Sequence, residues 1–213
     1  MAAKFTRSIG VVAAALLLLA GVAAWSWNSR PFRLKDRFVP RRLAEVETGA
    51  IWRSGQLDAH VVRDVLVQHG IRAIVDLQAP QEPGQERDRQ AEIAVAKELG
   101  IRHESYPMAG DGTGDVEVLA GAIASVARAR RAGEPVLVHC SAGSRRTASV
   151  LFCYLLLVER RPIDVAQHEL ERFLDDAEEI AAQRRWLDDR RDELERELTE
   201  ARVIEAAPAA GGS

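Results

Sequence analysis

Hydrophobic and polar positions along residues 44–174 follow two patterns, one typical of buried strands and one typical of amphipathic helices. Short β-branched runs such as IVDL and VLVH fit strands, and longer segments with an apolar residue every three or four positions fit helices. The predicted strands are 49–55, 71–77, 101–108 and 135–139, and the predicted helices are 56–70, 90–100, 116–132, 146–159 and 163–173. This alternation predicts an α/β domain whose central, mostly parallel sheet is flanked by helices.

The residues that follow this domain have a different pattern. Residues 175–204 predict a charged helix, a C-terminal extension with only a narrow apolar stripe. The stripe consists of Ile180, Leu187, Leu194 and Leu198. It predicts that the helix packs on the domain or on a partner. Residues 205–213 are mostly alanine and glycine, and this composition is typical of a disordered tail.

The N-terminal residues 1–29 have the strongest compositional bias. From Ile9 to Trp27 the chain is apolar or small except for Ser26, which is long enough to cross a bilayer. We therefore expect a signal-anchor, and the same run also fits a cleaved signal peptide. Residues 30–43 predict a basic linker that can contact anionic lipid headgroups.

The sidedness of this predicted anchor stays open. The basic residues after the apolar run are Arg30, Arg33, Lys35, Arg37, Arg41 and Arg42. They outnumber the charges before it, which favours a domain in the cytoplasm. The short basic start followed by an export-type apolar run favours the other side. We expect attachment to a bacterial inner membrane, with export of the domain if the segment is a cleaved signal.

Charge and cysteine content exclude several classes of protein. The net charge is −3 and no basic face with interleaved aromatic residues occurs, so we expect no nucleic-acid partner. Two cysteines, Cys140 and Cys153, cannot form a disulfide framework, and the histidines lack ligand spacing. The sequence therefore predicts no structural metal and no cofactor. Cys153 lies on an apolar helix, where a buried structural role is expected.

Residues 138–150, VHCSAGSRRTASV, carry the candidate chemistry. Their strand, turn and helix can aim several backbone amides, together with the helix dipole, into one concavity that binds a tetrahedral oxyanion. The amides come from Ser141, Ala142, Gly143, Ser144 and Arg145. Gly143 permits close approach and unusual dihedral angles, and Arg146 supplies a planar charged fork for two phosphoryl oxygens.

The same electrostatics act on Cys140, which ends the strand. Amide donors, a helix N-terminus and a guanidinium lower a thiol pKa, so we expect a nucleophilic thiolate near neutral pH. We expect His139 to order the loop through hydrogen bonds to nearby backbone, and Thr147 to stabilise the thiolate when it leaves. A lone buried cysteine is usually a small core residue, but the full combination of neighbours favours a functional role.

The order His139, Cys140, Gly143, Arg146 and Thr147 resembles the signature loop of the cysteine-dependent protein tyrosine and dual-specificity phosphatases. The stretches VETGAIWRSGQL, GIRAIVDLQ and EPVLVHC are similar to core elements of the compact bacterial and atypical dual-specificity members. The resemblance covers residues 46–174. It implies a phosphatase-like fold and hydrolysis of phosphomonoesters through a phosphocysteine.

The resemblance also implies an aspartate on an upstream loop that acts first as acid and then as base. Asp111 and Asp115 both lie in the turn after the third strand. We favour Asp111, since Asp115 is better placed as the N-cap of the next helix. Ala148 replaces a glycine common in relatives. Arg145 adds positive charge at the loop rim, which either favours multiply phosphorylated or lipid phosphates or pairs with an acidic neighbour.

The substrate class and two other functions stay open at the level of sequence. Phosphotyrosine, phosphoserine, phosphothreonine, an inositol lipid and a small phosphorylated metabolite all fit the loop. One alternative is a sulfurtransferase or arsenate reductase, against which Asp111 and Thr147 argue. The other is a phosphate-binding pseudophosphatase or scaffold, against which intact Cys140 and Arg146 argue.

Overall fold

The computed structural model of the chain describes residues 17–22, 34–80, 82, 84–174 and 176–205. The chain divides into two units, Met1–Val39 and Pro40–Ser213. In the first unit, residues 17–22 are helical and Leu34–Arg37 form a 3-10 turn. Within the described residues, no helix has the length and apolar character needed to span a membrane. Most of the predicted anchor, and the predicted tail beyond residue 205, lie outside the described residues.

One five-stranded sheet forms the centre of the second unit. Its strands are β1 (Ala44–Glu47), β2 (Ile51–Gly55), β3 (Ala73–Asp76), β4 (Arg102–Ser105) and β5 (Val136–Cys140), in the spatial order β1-β2-β5-β3-β4. All pairings are parallel except that of the edge strand β1 with β2. The predicted mostly parallel sheet is confirmed. β5 is the central strand, and every residue in it is buried, as its apolar sequence requires.

The register brings the carboxyl ends of three strands together. Gly55 of β2 pairs with Cys140 of β5, and Asp76 of β3 pairs with His139. In parallel sheets this edge is where ligands bind, because the loops that leave the strands converge there. The end of β5 is therefore enclosed by the residues that follow β2 and β3.

Helices cover both faces of the sheet. They are α1 (Val62–Gln68), α2 (Glu86–Leu99), α3 (Val116–Arg131), α4 (Arg145–Cys153), α5 (Ile163–Glu171) and α6 (Ala177–Glu200), and α4 continues into a π-helical turn, Tyr154–Val158. α1 begins later than predicted. The carboxylate of Asp58 accepts a hydrogen bond from the His60 amide, 2.9 Å away, so the chain turns there before the helix starts.

Alternate residues of β5 enter two hydrophobic clusters on opposite faces of the sheet. Val138 and Cys140 belong to a larger cluster with residues of α3, α4 and α6, whereas Leu137 belongs to a smaller one with residues of α1 and α2. Leu187, Leu194 and Leu198 of α6 are buried in the larger cluster. The predicted helical extension is confirmed, and its apolar stripe packs on the domain.

Candidate active site

Cys140 lies at the carboxyl end of the central strand with only 1% of its surface exposed. The next four residues, which are small, make a tight loop, and α4 begins at Arg145. We call residues 140–146 the Cys140 loop. The local sequence requires this shape, because the apolar strand ends where small residues allow the chain to turn back over the sulfur.

Two arginines before β1 hold the outer side of the Cys140 loop. Arg41 Nη1 donates a hydrogen bond to the carbonyl of Ser141 at 3.0 Å, and Arg42 Nη1 donates to the carbonyl of Ala142 at 2.8 Å. The backbone amide of Gln56 also donates to the Ser141 carbonyl, at 3.2 Å. The last residues of the predicted basic linker, residues 30–43, thus contact the loop.

Arg53 holds the next carbonyl from beneath. Its side chain is fully buried, and Nη2 donates to the carbonyl of Gly143 at 2.7 Å. Its Nη1 forms an ion pair with Glu169 of α5, and its guanidinium carbon lies 3.5 Å from the centre of the Phe173 ring. Burial lowers the pKa of Arg53, an effect that the Glu169 carboxylate opposes. Since guanidinium donors engage three successive loop carbonyls, the loop is fixed as an anion-binding nest requires.

Gly143 is the one loop residue whose backbone demands glycine. Its φ is +71°, a left-handed conformation that disfavours a side chain. A Cβ on Gly143 would lie 2.4 Å from the nitrogen of Gly55 and 2.6 Å from the carbonyl carbon of Ser54. The close approach lets the Gly143 amide donate a hydrogen bond to Cys140 Sγ, 3.2 Å away.

The thiol of Cys140 is held in an environment that favours its thiolate. Burial raises the pKa, but the charge of Arg146, the hydroxyl and amide of Thr147 and the amide of Gly143 lower it, and the net pKa is below the usual value. Cys153 is the opposite case, since burial alone raises its pKa to about 12. Cys153 is fully packed in the core, as the sequence predicts.

Arg146, in the first turn of α4, is 6% exposed and already has an anionic partner. Its Nη1 donates to the carbonyl of Leu77 at 3.2 Å and forms an ion pair with Glu82. Arg146 and Ser141 hold the pKa of Glu82 below its usual range, although burial opposes this. Sequence reasoning missed Glu82. Its position in the loop after β3 was a usable signal, because β3 lies next to the central strand β5 and the loops after these strands converge.

The two candidate acids lie in the segment between β4 and α3. Asp115 caps α3, because its side chain accepts a hydrogen bond from the Glu117 amide at 2.9 Å, so its predicted N-cap role is confirmed. Asp111 is exposed, and its Oδ1 accepts bonds from the amide and hydroxyl of Thr113 at 3.0 and 2.8 Å. These bonds, with the charge of Arg145, lower the pKa of Asp111, although burial opposes them.

The residue after Asp111 packs on the start of α4, at the rim of the Cys140 loop. Gly112, next to Asp111, is so close to the start of α4 that a Cβ on it would lie 2.9 Å from the carbonyl carbon of Arg145. The guanidinium of Arg145 pairs with Glu179 of α6. Of the two roles expected for Arg145, the structure shows pairing with an acidic neighbour. The Asp111 segment therefore lies against the helix that carries Arg146.

His139 lies on the opposite face of β5 from Cys140. Its Nε2 is 2.9 Å from Glu92 Oε1, and it makes no hydrogen bond with backbone among the described residues. The expectation that His139 bonds to loop backbone is wrong, because side chains alternate along a strand and this one faces away from the loop. The Glu92 carboxylate raises the pKa of His139 to about 9 although burial opposes it, and the pKa of Glu92 falls to about 2 against the same opposition.

Three residues beneath the loop offer donor atoms within 4.8 Å of one another: Asp76, His103 and His139. Each already has a charged partner. Asp76 Oδ2 lies 3.1 Å from Arg89 Nη2, and His103 Nε2 lies 3.1 Å from Glu92 Oε1. The partners lie outside the cluster: Arg89 contacts Asp76, and Glu92 contacts both histidines.

The chain matches one protein-family model, and its fold is similar to that of several solved phosphatase structures. Residues 52–159 match the family model described as "Polymorphic toxin system, DSP-PTPase phosphatase". The fold is similar to that of Tk-PTP in its active form, with 20% identity, a TM-score of 0.55, and coverage of 72% of this chain and 96% of that one. No curated protein matches the chain.

Two further solved structures share the fold. TpbA of P. aeruginosa is 21% identical with a TM-score of 0.55, and the match covers 74% of this chain and 96% of TpbA. The core catalytic domain of SIW14 of S. cerevisiae, a PP-IP phosphatase solved with citrate, is 20% identical with a TM-score of 0.58, and the match covers 78% of this chain and 96% of that domain.

Proposed function

Since the chain belongs to the DSP-PTPase phosphatase family of polymorphic toxin systems, we propose that it hydrolyses phosphomonoesters through a phosphocysteine formed on Cys140. The observation that carries this proposal is the pairing of a buried thiol of lowered pKa with a loop whose carbonyls are engaged by guanidinium donors. A pure phosphate binder needs the loop but has no use for an activated thiol.

The first chemical step forms the phosphocysteine. The phosphoryl group enters the nest, where the loop amides and Arg146 bind its non-bridging oxygens. The Cys140 thiolate attacks phosphorus, an S–P bond forms, and the P–O bond to the leaving group breaks. Asp111 gives a proton to the leaving oxygen. The negative charge of the bound substrate raises the pKa of Asp111 from its low value in the free protein, which favours the protonated form that this step needs.

The second step returns the enzyme to its starting state. Asp111, now a carboxylate, takes a proton from a water molecule, and the water oxygen attacks phosphorus. The S–P bond breaks, and inorganic phosphate and the thiolate are released. The amide of Gly143 and the hydroxyl of Thr147 stabilise the departing thiolate, which are the same contacts that lower the pKa of Cys140.

Phosphotyrosine is the substrate class we propose, with phosphoserine and phosphothreonine as further candidates. An aryl phosphate has a good leaving group and needs little selective contact beyond the nest. A cysteine-to-serine variant of TpbA, which shares this fold, was solved with pTyr bound.

We also propose attachment to a bacterial inner membrane through residues 1–29, because of their apolar run. Carbonate extraction of membranes that contain the full chain tests this: an attached chain should stay in the membrane pellet.

Hydrolysis of an aryl phosphate by the full-length chain, with EDTA and reductant present, tests the proposed function. The variants are Cys140→Ser, Asp111→Asn and Asp115→Asn. We expect wild-type turnover and no activity in Cys140→Ser. Only Asp111→Asn should lose the decline in activity at high pH, which reports deprotonation of the general acid. A wild-type chain that binds inorganic phosphate or a phosphopeptide but releases no product would show a scaffold instead.

A further inference from the structure

One glutamine of the C-terminal helix joins two parts of the candidate site. Gln183 of α6 is 7% exposed, and its side-chain amide is bonded at both ends. Its Nε2 donates to the carbonyl of Asp111, and its Oε1 accepts from the hydroxyl of Ser149. Ser149 lies on α4, one turn after Arg146. A single side chain therefore connects the Asp111 segment to the helix that follows the Cys140 loop.

The Asp111 segment is packed against this same amide. Gly112 has a φ of +85°, and a Cβ on it would lie 2.8 Å from Gln183 Nε2 and 2.9 Å from Ser149 Oγ. Among the hydrogen bonds of the described residues, the bond from Gln183 is the one that ties residues 109–114 to another element. Gln183 thus makes the hydrogen bond that fixes this segment to the helices beside it.

The sequence of the segment explains why it needs support. Glycines at 110, 112 and 114 leave its backbone with more conformational freedom than other residues would allow, and fixing that freedom costs entropy. A hydrogen bond from a buried, doubly held amide offsets part of this cost. One turn earlier on α6, Glu179 pairs with Arg145, so the same helix face also holds the rim of the loop.

We propose that Gln183 is a positioning residue, which holds the Asp111 segment against α4 so that the Asp111 carboxyl stays within reach of the leaving oxygen. This rests on the proposed function, with Asp111 as the acid. The residue type fits the task, because a primary amide donates to the Asp111 carbonyl while it accepts from the Ser149 hydroxyl. On this account the C-terminal helix is part of the machinery of proton transfer.

The test compares two substrates that differ in their need for an acid. Phenyl phosphate has a poor leaving group that must be protonated, whereas 2,4-dinitrophenyl phosphate has one that leaves as an anion. A positioned acid supplies roughly 10²–10⁴-fold in rate. For full-length Gln183→Met we expect kcat/KM with phenyl phosphate to fall about 10-fold or more, as part of that contribution, while kcat/KM with the dinitrophenyl ester stays within about threefold of wild type. The ratio kcat/KM is used because it reports formation of the phosphocysteine and not its hydrolysis, in which Asp111 acts as base with either substrate.

A combination with Asp111→Asn tests whether Gln183 acts through Asp111. In that background Gln183→Met should cause no further loss with phenyl phosphate, because residues that act through one step are not additive. In the single variant Gln183→Met, the decline in activity at high pH, which reports deprotonation of Asp111, should become shallower. Ser149→Ala, a smaller change that removes one partner of the amide, should show the same substrate dependence with a smaller loss, and it serves if Gln183→Met does not fold.

Gln167→Met is the matched control. Gln167 also bonds to α6, since its Oε1 accepts from Arg184 Nη1 at 2.7 Å, but it lies on α5 and has no bond to the Asp111 segment. This variant should turn over both substrates as wild type does. An equal loss on both substrates in Gln183→Met and Ser149→Ala, or full additivity with Asp111→Asn, would overturn the inference. An inert wild type would instead overturn the proposed function.

Discussion

The backbone amide of Gly143 donates a hydrogen bond to the sulfur of Cys140 across 3.2 Å. The Gly143 backbone that makes this contact lies directly on Ser54 and Gly55 of the neighbouring strand. The packing of the loop on the neighbouring strand thus helps to set the distance between the sulfur and this amide donor. Chemistry at the thiol depends on the packing of two strands that are far apart in sequence.

Gly143→Ala should abolish this contact. The new Cβ would lie 2.4 Å from a backbone nitrogen, which cannot move without disturbing the sheet. We expect activity to fall at least about 100-fold, the usual cost of losing one oxyanion donor. Gly133→Ala is the control. Its φ is similar, +68°, but nothing lies within 4 Å of its Cβ position, so it should carry backbone strain and keep activity.

Alkylation of Cys140 by iodoacetamide should titrate with a midpoint below 9.0, the ordinary value for the thiol. The reaction is followed at each cysteine by peptide mass analysis. Thr147→Val removes the hydroxyl that lowers the pKa of Cys140, so its midpoint should rise, whereas Thr147→Ser should keep the wild-type value. Cys153 should stay unmodified. A midpoint at or above 9.0 in wild type would contradict the electrostatic account.

Arg53 should affect stability and activity by separate routes. Arg53→Met leaves the buried Glu169 carboxylate without its main partner, which costs about 3–5 kcal/mol in such pairs. Adding Glu169→Gln should recover part of the urea-unfolding free energy. Activity should stay low, because the Gly143 carbonyl has still lost its donor. If the double variant regains wild-type activity, Arg53 acts through stability alone.

The buried His139 and Glu92 pair should make stability depend on pH. The folded pKa of His139, about 9, exceeds its ordinary 6.5, so its contribution is complete below pH 6.5 and is lost as the pH rises toward 9. The folded pKa of Glu92, about 2, is below its ordinary 4.5, so its contribution is present above pH 4.5 and is lost as the pH falls toward 2.

Urea unfolding across this range measures both slopes. The free energy of unfolding from this pair should be highest between pH 4.5 and 6.5. Both slopes should flatten in the double variant His139→Gln and Glu92→Gln. Slopes in that variant as steep as those of wild type would mean that other groups cause the pH dependence.

Local sequence patterns were sufficient for the strand that carries Cys140 and for the helix after it. β5 begins with a buried apolar run, residues 136–138, and the small residues after Cys140 allow the turn, so the local sequence places the thiol. The edge strand β1 was not predicted, because its sequence AEVE contains charges and only its pairing with β2 makes it a strand.

Contacts between distant parts of the chain could not be predicted in this way. Arg42 reaches a carbonyl 100 residues away, and Glu82 pairs with a residue 64 positions later. Gln183 reaches back 72 residues to the Asp111 carbonyl. Such contacts depend on how loops and helices pack over the sheet. Arginine, glutamate and glutamine are also common on protein surfaces, so their presence in the sequence does not indicate a buried contact.

Trapping of the phosphoenzyme tests the central claim most directly. The full-length Asp111→Asn chain is mixed with 2,4-dinitrophenyl phosphate, whose leaving group needs no acid, and the reaction is quenched in denaturant. The protein is then digested and its peptides are analysed by mass spectrometry. We predict one phosphoryl group on the peptide that contains Cys140, chased away with time, and none in Cys140→Ser. Product formation by wild type with no label on Cys140 at any time, or label on another residue, would contradict the phosphocysteine mechanism.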